Sequence, residues 1–179
     1  LQYDNAKLQP GILGGGGDIW KLTRQTRDKP WRAAVNIGPG INSGHALGPS
    51  ISVDGLSLYL QSHRPGAIGG CDLMVATRTS ISDPFANPVF LQTLNSSAAD
   101  WMPDISPDGL VLFFVSSRPC VYGGTGNYRL WMTIRKSILD PFPPPQVLPP
   151  HVNGGGSGWN SYDPSLSSDG STLYFVFAH

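Results

Sequence analysis

Carboxylate chemistry in this chain would fall to aspartate alone, because the sequence contains no glutamate. Most of the aspartates recur at fixed places in a repeated pattern, which leaves Asp100, Asp104 and Asp163 as the irregular ones. Glycoside hydrolysis needs two carboxylates flanking the scissile bond, one of them with a raised pKa. Asp104 follows a repeated proline and is assigned to its strand, so few carboxylates remain for such a pair. The chain shows no Gly-x-Ser-x-Gly elbow and no nucleophile–base pairing. Its four histidines are scattered, without His-x-x-His or Cys-x-x-Cys spacing, so no zinc site is expected. Gly14 to Gly17 precede a strand rather than a helix and offer no phosphate cradle, and no cofactor is expected. A piece of a carbohydrate-active enzyme stays as one alternative.

Recognition is the chemistry that the irregular residues suit better. His45, Arg64, Asp100, Trp101, Arg118, Tyr122, Trp159, Tyr162 and Asp163 combine flat rings with charged and hydrogen-bonding groups. Rings stack on apolar surfaces while polar groups fix orientation, as a sugar or a peptide requires. The same rings, Trp101 and Tyr162 above all, could instead wedge between structural units.

Bulk properties narrow the partners. The formal net charge is +0 and charged residues make up 13% of the chain, which excludes a basic nucleic-acid footprint or a polybasic membrane patch. No apolar run approaches the length of a membrane-spanning helix. With 22 Gly and 17 Pro, the composition reads as strands joined by many turns.

The elements that hold these residues come from a repeat. Pro49-Ser50-Ile51-Ser52-Val53-Asp54-Gly55 returns as Pro103-Asp104-Ile105-Ser106-Pro107-Asp108-Gly109 and as Pro164-Ser165-Leu166-Ser167-Ser168-Asp169-Gly170. Asp-Gly between apolar runs predicts a type I′ hairpin turn, with both central residues at positive φ. The apolar runs that follow, such as Val111 to Val115, predict strands buried on both faces. A glycine-rich loop follows, then a third strand beginning at Asp18, Asp72 or Arg129. Asp18 and Asp72 are expected to anchor neighbouring strands. Arg24, Arg78 and Arg135 recur at the end of that strand, which favours a structural contact. A Pro-aromatic turn (Pro30-Trp31, Pro84-Phe85, Pro141-Phe142) and a short fourth strand lead to Asn42, Asn95 or Asn153.

Four antiparallel strands per repeat predict an all-β protein, a β-propeller of four-stranded blades. The motif Pro-x-Ile-Ser-x-Asp-Gly, an aromatic strand, Ser-x-Arg-Pro and Asp-Leu/Ile-Trp resembles the WD-repeat-like propeller repeat of the TolB type. That resemblance runs from about Pro10 to the end of the chain. It implies a non-catalytic module of bacterial exported proteins, in an extracellular, periplasmic or cell-envelope setting.

Parsed this way, residues 1–42 form the second half of a blade, 43–95 and 96–153 two whole blades, and 154–179 a first half. About three blades' worth of strand cannot close a propeller. The chain is therefore expected either to be part of a longer propeller or to complete its split blades with other copies, as a closed oligomer or a filament. Strand parity places the Asp-Gly hairpins and Pro-aromatic turns on one face. The blade-connecting and glycine loops, with the nine recognition residues, fall on the other, toward a protein or glycan partner. Cys71 and Cys120 sit in glycine loops of adjacent units, where a disulfide is one possibility.

Overall fold

The computed structural model describes residues 17–121, 127–154 and 158–179. Its strands are β1 (Trp20–Lys21), β2 (Val35–Asn36), β3 (Ala46–Ile51), β4 (Ser57–Ser62), β5 (Asp72–Thr77) and β6 (Val89–Phe90). There follow β7 (Asp100–Ile105), β8 (Val111–Ser116), β9 (Arg129–Ile134), β10 (Gln146–Val147), β11 (Asn160–Leu166) and β12 (Leu173–Ala178). Two single-turn helices, α1 (Pro39–Asn42) and α2 (Pro150–Asn153), lie before β3 and β11. The turn-rich composition gave no sign of them; each opens on a proline, whose fixed φ suits a first helical turn.

Hydrogen bonding joins β3-β4-β5-β6 and β7-β8-β9-β10 into two four-stranded antiparallel blades, flanked by the two-stranded sheets β1-β2 and β11-β12. The fold is all-β, a partial propeller. The second strands are buried as their composition requires: Leu58, Tyr59 and Leu60 in β4, and Leu112 to Val115 in β8. One core cluster packs Tyr59 and Leu73 of one blade against Ile105, Leu112, Phe114, Trp131 and Phe142 of the next.

Four devices repeat. Each is a local solution that the sequence motif encodes. In the hairpin, Gly55 N–H donates to Ser52 O at 2.8 Å and Gly109 N–H to Ser106 O at 2.8 Å. Only the glycines, Gly55, Gly109 and Gly170, have positive φ, near 72°; the aspartates do not. The turn is thus type I followed by a left-handed glycine, and the expected type I′ turn is corrected. The reason lies in the aspartate, whose Oδ1 accepts from the preceding serine and from the N–H two residues on (Ser52 at 2.5 Å and Leu56 at 2.9 Å for Asp54). That bond holds it in ordinary negative-φ geometry.

The second device is a bulge before the repeated proline. Gly48, Met102 and Asp163 occupy one position and have φ of 58°, 51° and 48°, and each lies where the ladder to the second strand slips register. For Met102 and Asp163 this is strained backbone. Met102 is steadied by its N–H donating to Gln61 Oε1 at 2.5 Å.

The third device is an asparagine clip. Asn95 Oδ1 accepts the Leu73 N–H at 2.8 Å while its Nδ2 donates to the Leu73 carbonyl at 3.0 Å. Asn42 does the same to Ile19, and Asn153 to Leu130. The amide replaces a ladder partner where the short fourth strand ends. It also ties up both polar atoms of the Asn95 amide.

Fourth, Arg24, Arg78 and Arg135 place their guanidinium carbons over Trp31, Phe85 and Phe142, 4.5, 4.4 and 4.3 Å from the ring centroids. Arg78 and Arg135 also donate through Nε to Gly55 O and Gly109 O, which ties the Pro-aromatic turn to the hairpin glycine. The structural assignment of these arginines holds. Asp72 differs from expectation: its carboxylate accepts the Ile68 and Gly69 N–H groups of its own glycine loop. Asp18 accepts from Asn36 Nδ2, a side chain of the adjoining strand.

Blades are joined at two levels. Backbone bonds run from Ala46 N to Gly17 O, Asp100 N to Cys71 O and Ser161 N to Tyr128 O. Closer to the proline, Ser50 Oγ accepts the Ile105 N–H at 3.0 Å, and Asp104 Oδ2 accepts the Leu166 N–H at 2.7 Å. Asp104 is therefore a strand-to-strand fastener, with its carboxyl raised above the usual range chiefly by burial. Cys71 and Cys120 carry free thiols, which settles the disulfide question, and burial first of all pushes the Cys71 thiol up to about 12.

Candidate functional site

The loop face brings some of the nine recognition residues together and separates others. Arg118 and Asp100 form a buried ion pair, Nη2 to Oδ1 at 2.6 Å, with side-chain exposures of 15% and 0%. Asp100 Oδ2 accepts from the Ser96 N–H at 2.7 Å and hydroxyl at 2.9 Å. Arg118 also donates to Leu94 O and to Ser116 Oγ, and lies over the Trp131 ring at 4.9 Å. Both groups are thus consumed in joining the glycine loop, the blade-connecting loop and the core.

Arg64 is the counterpart of Arg118 one blade earlier. Ala46 stands where Asp100 stands, so Arg64 meets neutral acceptors instead: Ile41 O at 2.5 Å and Ser62 Oγ at 3.0 Å. Burial without a carboxylate beside it holds its pKa below the ordinary arginine value. His45, at a φ of 60°, meets His63 edge-on with ring centroids 5.6 Å apart. Trp159 stacks on Phe177 at 4.8 Å and meets His179 at 4.2 Å, so one of its ring faces is covered. Tyr122 lies outside the described residues.

Trp101 and Tyr162 do converge, through a residue the sequence reading passed over. Tyr128 stands between them, 5.0 Å from Trp101 at 71° and 5.3 Å from Tyr162 at 44°. The three half-buried rings make a continuous row across two successive blades. Asp163, exposed and at positive φ, adjoins Tyr162 in the chain. A signal for Tyr128 was present: it takes the place that Cys71 and Gly17 hold in the other units, an irregular ring just before a third strand. Among the described residues, Trp101 Nε1 is buried with no acceptor.

A second feature lies on the opposite, hairpin face. A slot of about 630 Å³ runs between the two whole blades. Tyr59, Val75 and Phe90 wall one side, Ile138 and Phe142 the other, and Asp54 and Asp108 stand at its lip. Sequence reasoning assigned these residues to turns and core one at a time and did not show that they enclose a space.

No family model and no curated protein matches the chain. It is similar to a solved structure described as "The structure of putative TolB from Agrobacterium tumefaciens", at 19% identity and a TM-score of 0.47. The similarity covers 81% of this chain and 46% of that one, so this chain spans less than half the length of that protein. Among the described residues no helix is long and apolar enough to cross a membrane.

Proposed function

We propose that this chain is a non-catalytic propeller module that binds a protein partner on its loop face, through the row Trp101–Tyr128–Tyr162 and the adjoining Asp163. The row is the observation that carries the reading. Half-buried aromatic rings supply contact area at low entropic cost, and they dominate protein interfaces. A protein surface fits better than a glycan. Each ring-to-ring contact in the row occupies a ring face on which a sugar would stack. The repeat's resemblance to exported propellers supports an envelope or extracellular setting. Carboxylates that bind turns (Asp54, Asp108, Asp169), join blades (Asp104) or pair with Arg118 (Asp100) leave little for general acid–base work.

The test is a titration. A partner captured on the immobilised chain from a cell-envelope extract is identified, purified and measured against variants. Trp101→Ala and Tyr162→Ala should each weaken it at least about tenfold, as central aromatic anchors do. Asp163→Asn keeps the left-handed backbone that asparagine tolerates and isolates the contribution of the charge. Unchanged affinity in all three variants would reject the loop face.

A second reading has its own observation. Tyr174, Phe175, Val176 and Phe177 of β12 are 67%, 36%, 48% and 46% exposed, whereas their counterparts in β8, Phe113 to Ser116, are 9% or less. Among the described residues β12 pairs with β11 alone, and an apolar strand with an unpaired edge is a template for another strand. Self-assembly, with a strand of a second copy laid along β12, follows from it. A monodisperse 19.2 kDa monomer at high concentration would end that reading.

A further inference from the structure

The slot between the two whole blades has an unusual balance of committed and uncommitted groups. Its volume of about 630 Å³ is that of a small-ligand site. Tyr59 and Phe142 close the floor, buried to 3% and 4% exposure and meeting edge-on at 6.3 Å, while Val75, Phe90, Leu91 and Ile138 make apolar walls. Thr93 donates its hydroxyl to Phe142 O at 2.8 Å, which fixes one blade against the other and keeps the slot from collapsing.

Charge distinguishes the lip from the floor. Asp54 and Asp108, on hairpins of successive blades, are both held below the usual carboxylate range, first by the Ser52 and Ser106 hydroxyls. Each spends Oδ1 on its own turn and forms no ion pair among the described residues. Arg135 is the one cation lining the slot, and it is already placed. Its Nε donates to Gly109 O at 2.9 Å, its Nη1 to Asp140 O at 3.2 Å, and its guanidinium carbon lies over Phe142. Asp54 and Asp108, both exposed, therefore line an apolar trench and form no ion pair among the described residues.

We infer that this slot is a binding site, separate from the loop face, for a basic side chain presented by an extended apolar peptide. The ammonium or guanidinium sits at the lip between Asp54 and Asp108, and the neighbouring apolar side chains of the peptide lie against Val75, Phe90 and Ile138. Charge complementarity selects the occupant. Two carboxylates reward a cation and repel an acidic segment, and the walls reward the aliphatic stem that carries the charge.

The experiment uses the full chain, isotopically labelled, and two probes: N-acetyl-Phe-Lys-Leu-amide and its Glu counterpart. Amide NMR shifts of Asp54, Val75, Thr77, Asp108 and Ile138 should move with the Lys peptide and stay still with the Glu peptide. Asp54→Asn and Asp108→Asn keep the turn acceptor but remove the charge, and each should weaken the Lys peptide about tenfold. Thr77→Trp, at an exposed position in the lining, should fill the slot and abolish the shifts. Equal binding of both peptides, indifference to both Asn variants, shifts at Trp101, Tyr128 and Tyr162 instead, or no shift at millimolar peptide would each overturn the inference.

Discussion

Replacing Arg118 with methionine tests how far the loop-face charges are structural. The methionine stem fills most of the space over Trp131 but removes the guanidinium. Asp100, fully buried, keeps only the two bonds from Ser96, and the Leu94 carbonyl loses its donor. Stranding one member of a buried pair costs about 3–5 kcal/mol. Arg64→Met is the internal control, because Arg64 gives up only neutral acceptors, Ile41 O and Ser62 Oγ. Its cost should be about 1–2 kcal/mol. With a urea slope of about 2 kcal/mol/M, the two midpoints should stand roughly 1 M apart. Asp100→Ala combined with Arg118→Met removes both partners and should recover about 2 kcal/mol of the loss through the coupling of the pair. Circular dichroism across urea reads all three. Coincident midpoints for Arg118→Met and Arg64→Met, or no recovery in the double variant, would refute the assignment.

Three further expectations follow from the same geometry. Gly69→Ala should be severely destabilising, because a Cβ there would collide with the Ala98 carbonyl and lie 2.6 Å from the Ser96 carbonyl; Gly70→Ala, with only Ala99 Cβ at 4.0 Å, should be near neutral by thermal melting. Cys120, half-exposed, should react with a thiol reagent in the native protein at pH 8, whereas Cys71, buried and raised to about 12, should react only on unfolding. Stability should pass through a maximum in mild acid. Asp72 and Asp104, raised by burial, take up protons before the unfolded chain does, so the native state gains on acidification in that window. Asp54, Asp108 and Asp169 are lowered, Asp169 to about 2; the stability they confer is complete above about pH 4 and drains as pH falls toward 2. Acid titration of the urea midpoint checks both limbs, and Asp104→Asn should flatten the first.

Much of this fold is legible in the sequence because each repeated motif is a local device. Asp-Gly, Ser-x-Arg-Pro, the Pro-aromatic pair and the closing asparagine each satisfy backbone groups within their own blade or the adjoining loop, so spacing alone marks them. The hairpin type escaped because Asp54 can either adopt positive φ or hold its turn by accepting the Leu56 N–H, and the dipeptide looks the same in both cases. The bulge escaped because only Gly48, one of its three copies, carries a residue suited to positive φ; Met102 and Asp163 conceal it. Features that join residues distant in the chain were the hardest to read. Asp100 resembled a free carboxylate until Arg118 was placed beside it, Tyr128 gained its meaning from two distant rings, and the slot exists only between walls that the sequence describes separately.

The proposed docking surface for a protein partner is the row Trp101–Tyr128–Tyr162. Amide hydrogen exchange of the full chain with and without its purified partner tests it most directly. Exchange should slow around Trp101, Tyr128 and Tyr162, with the hairpins at Asp54 and Asp108 unchanged. Protection at the hairpin face with none along the aromatic row would contradict it.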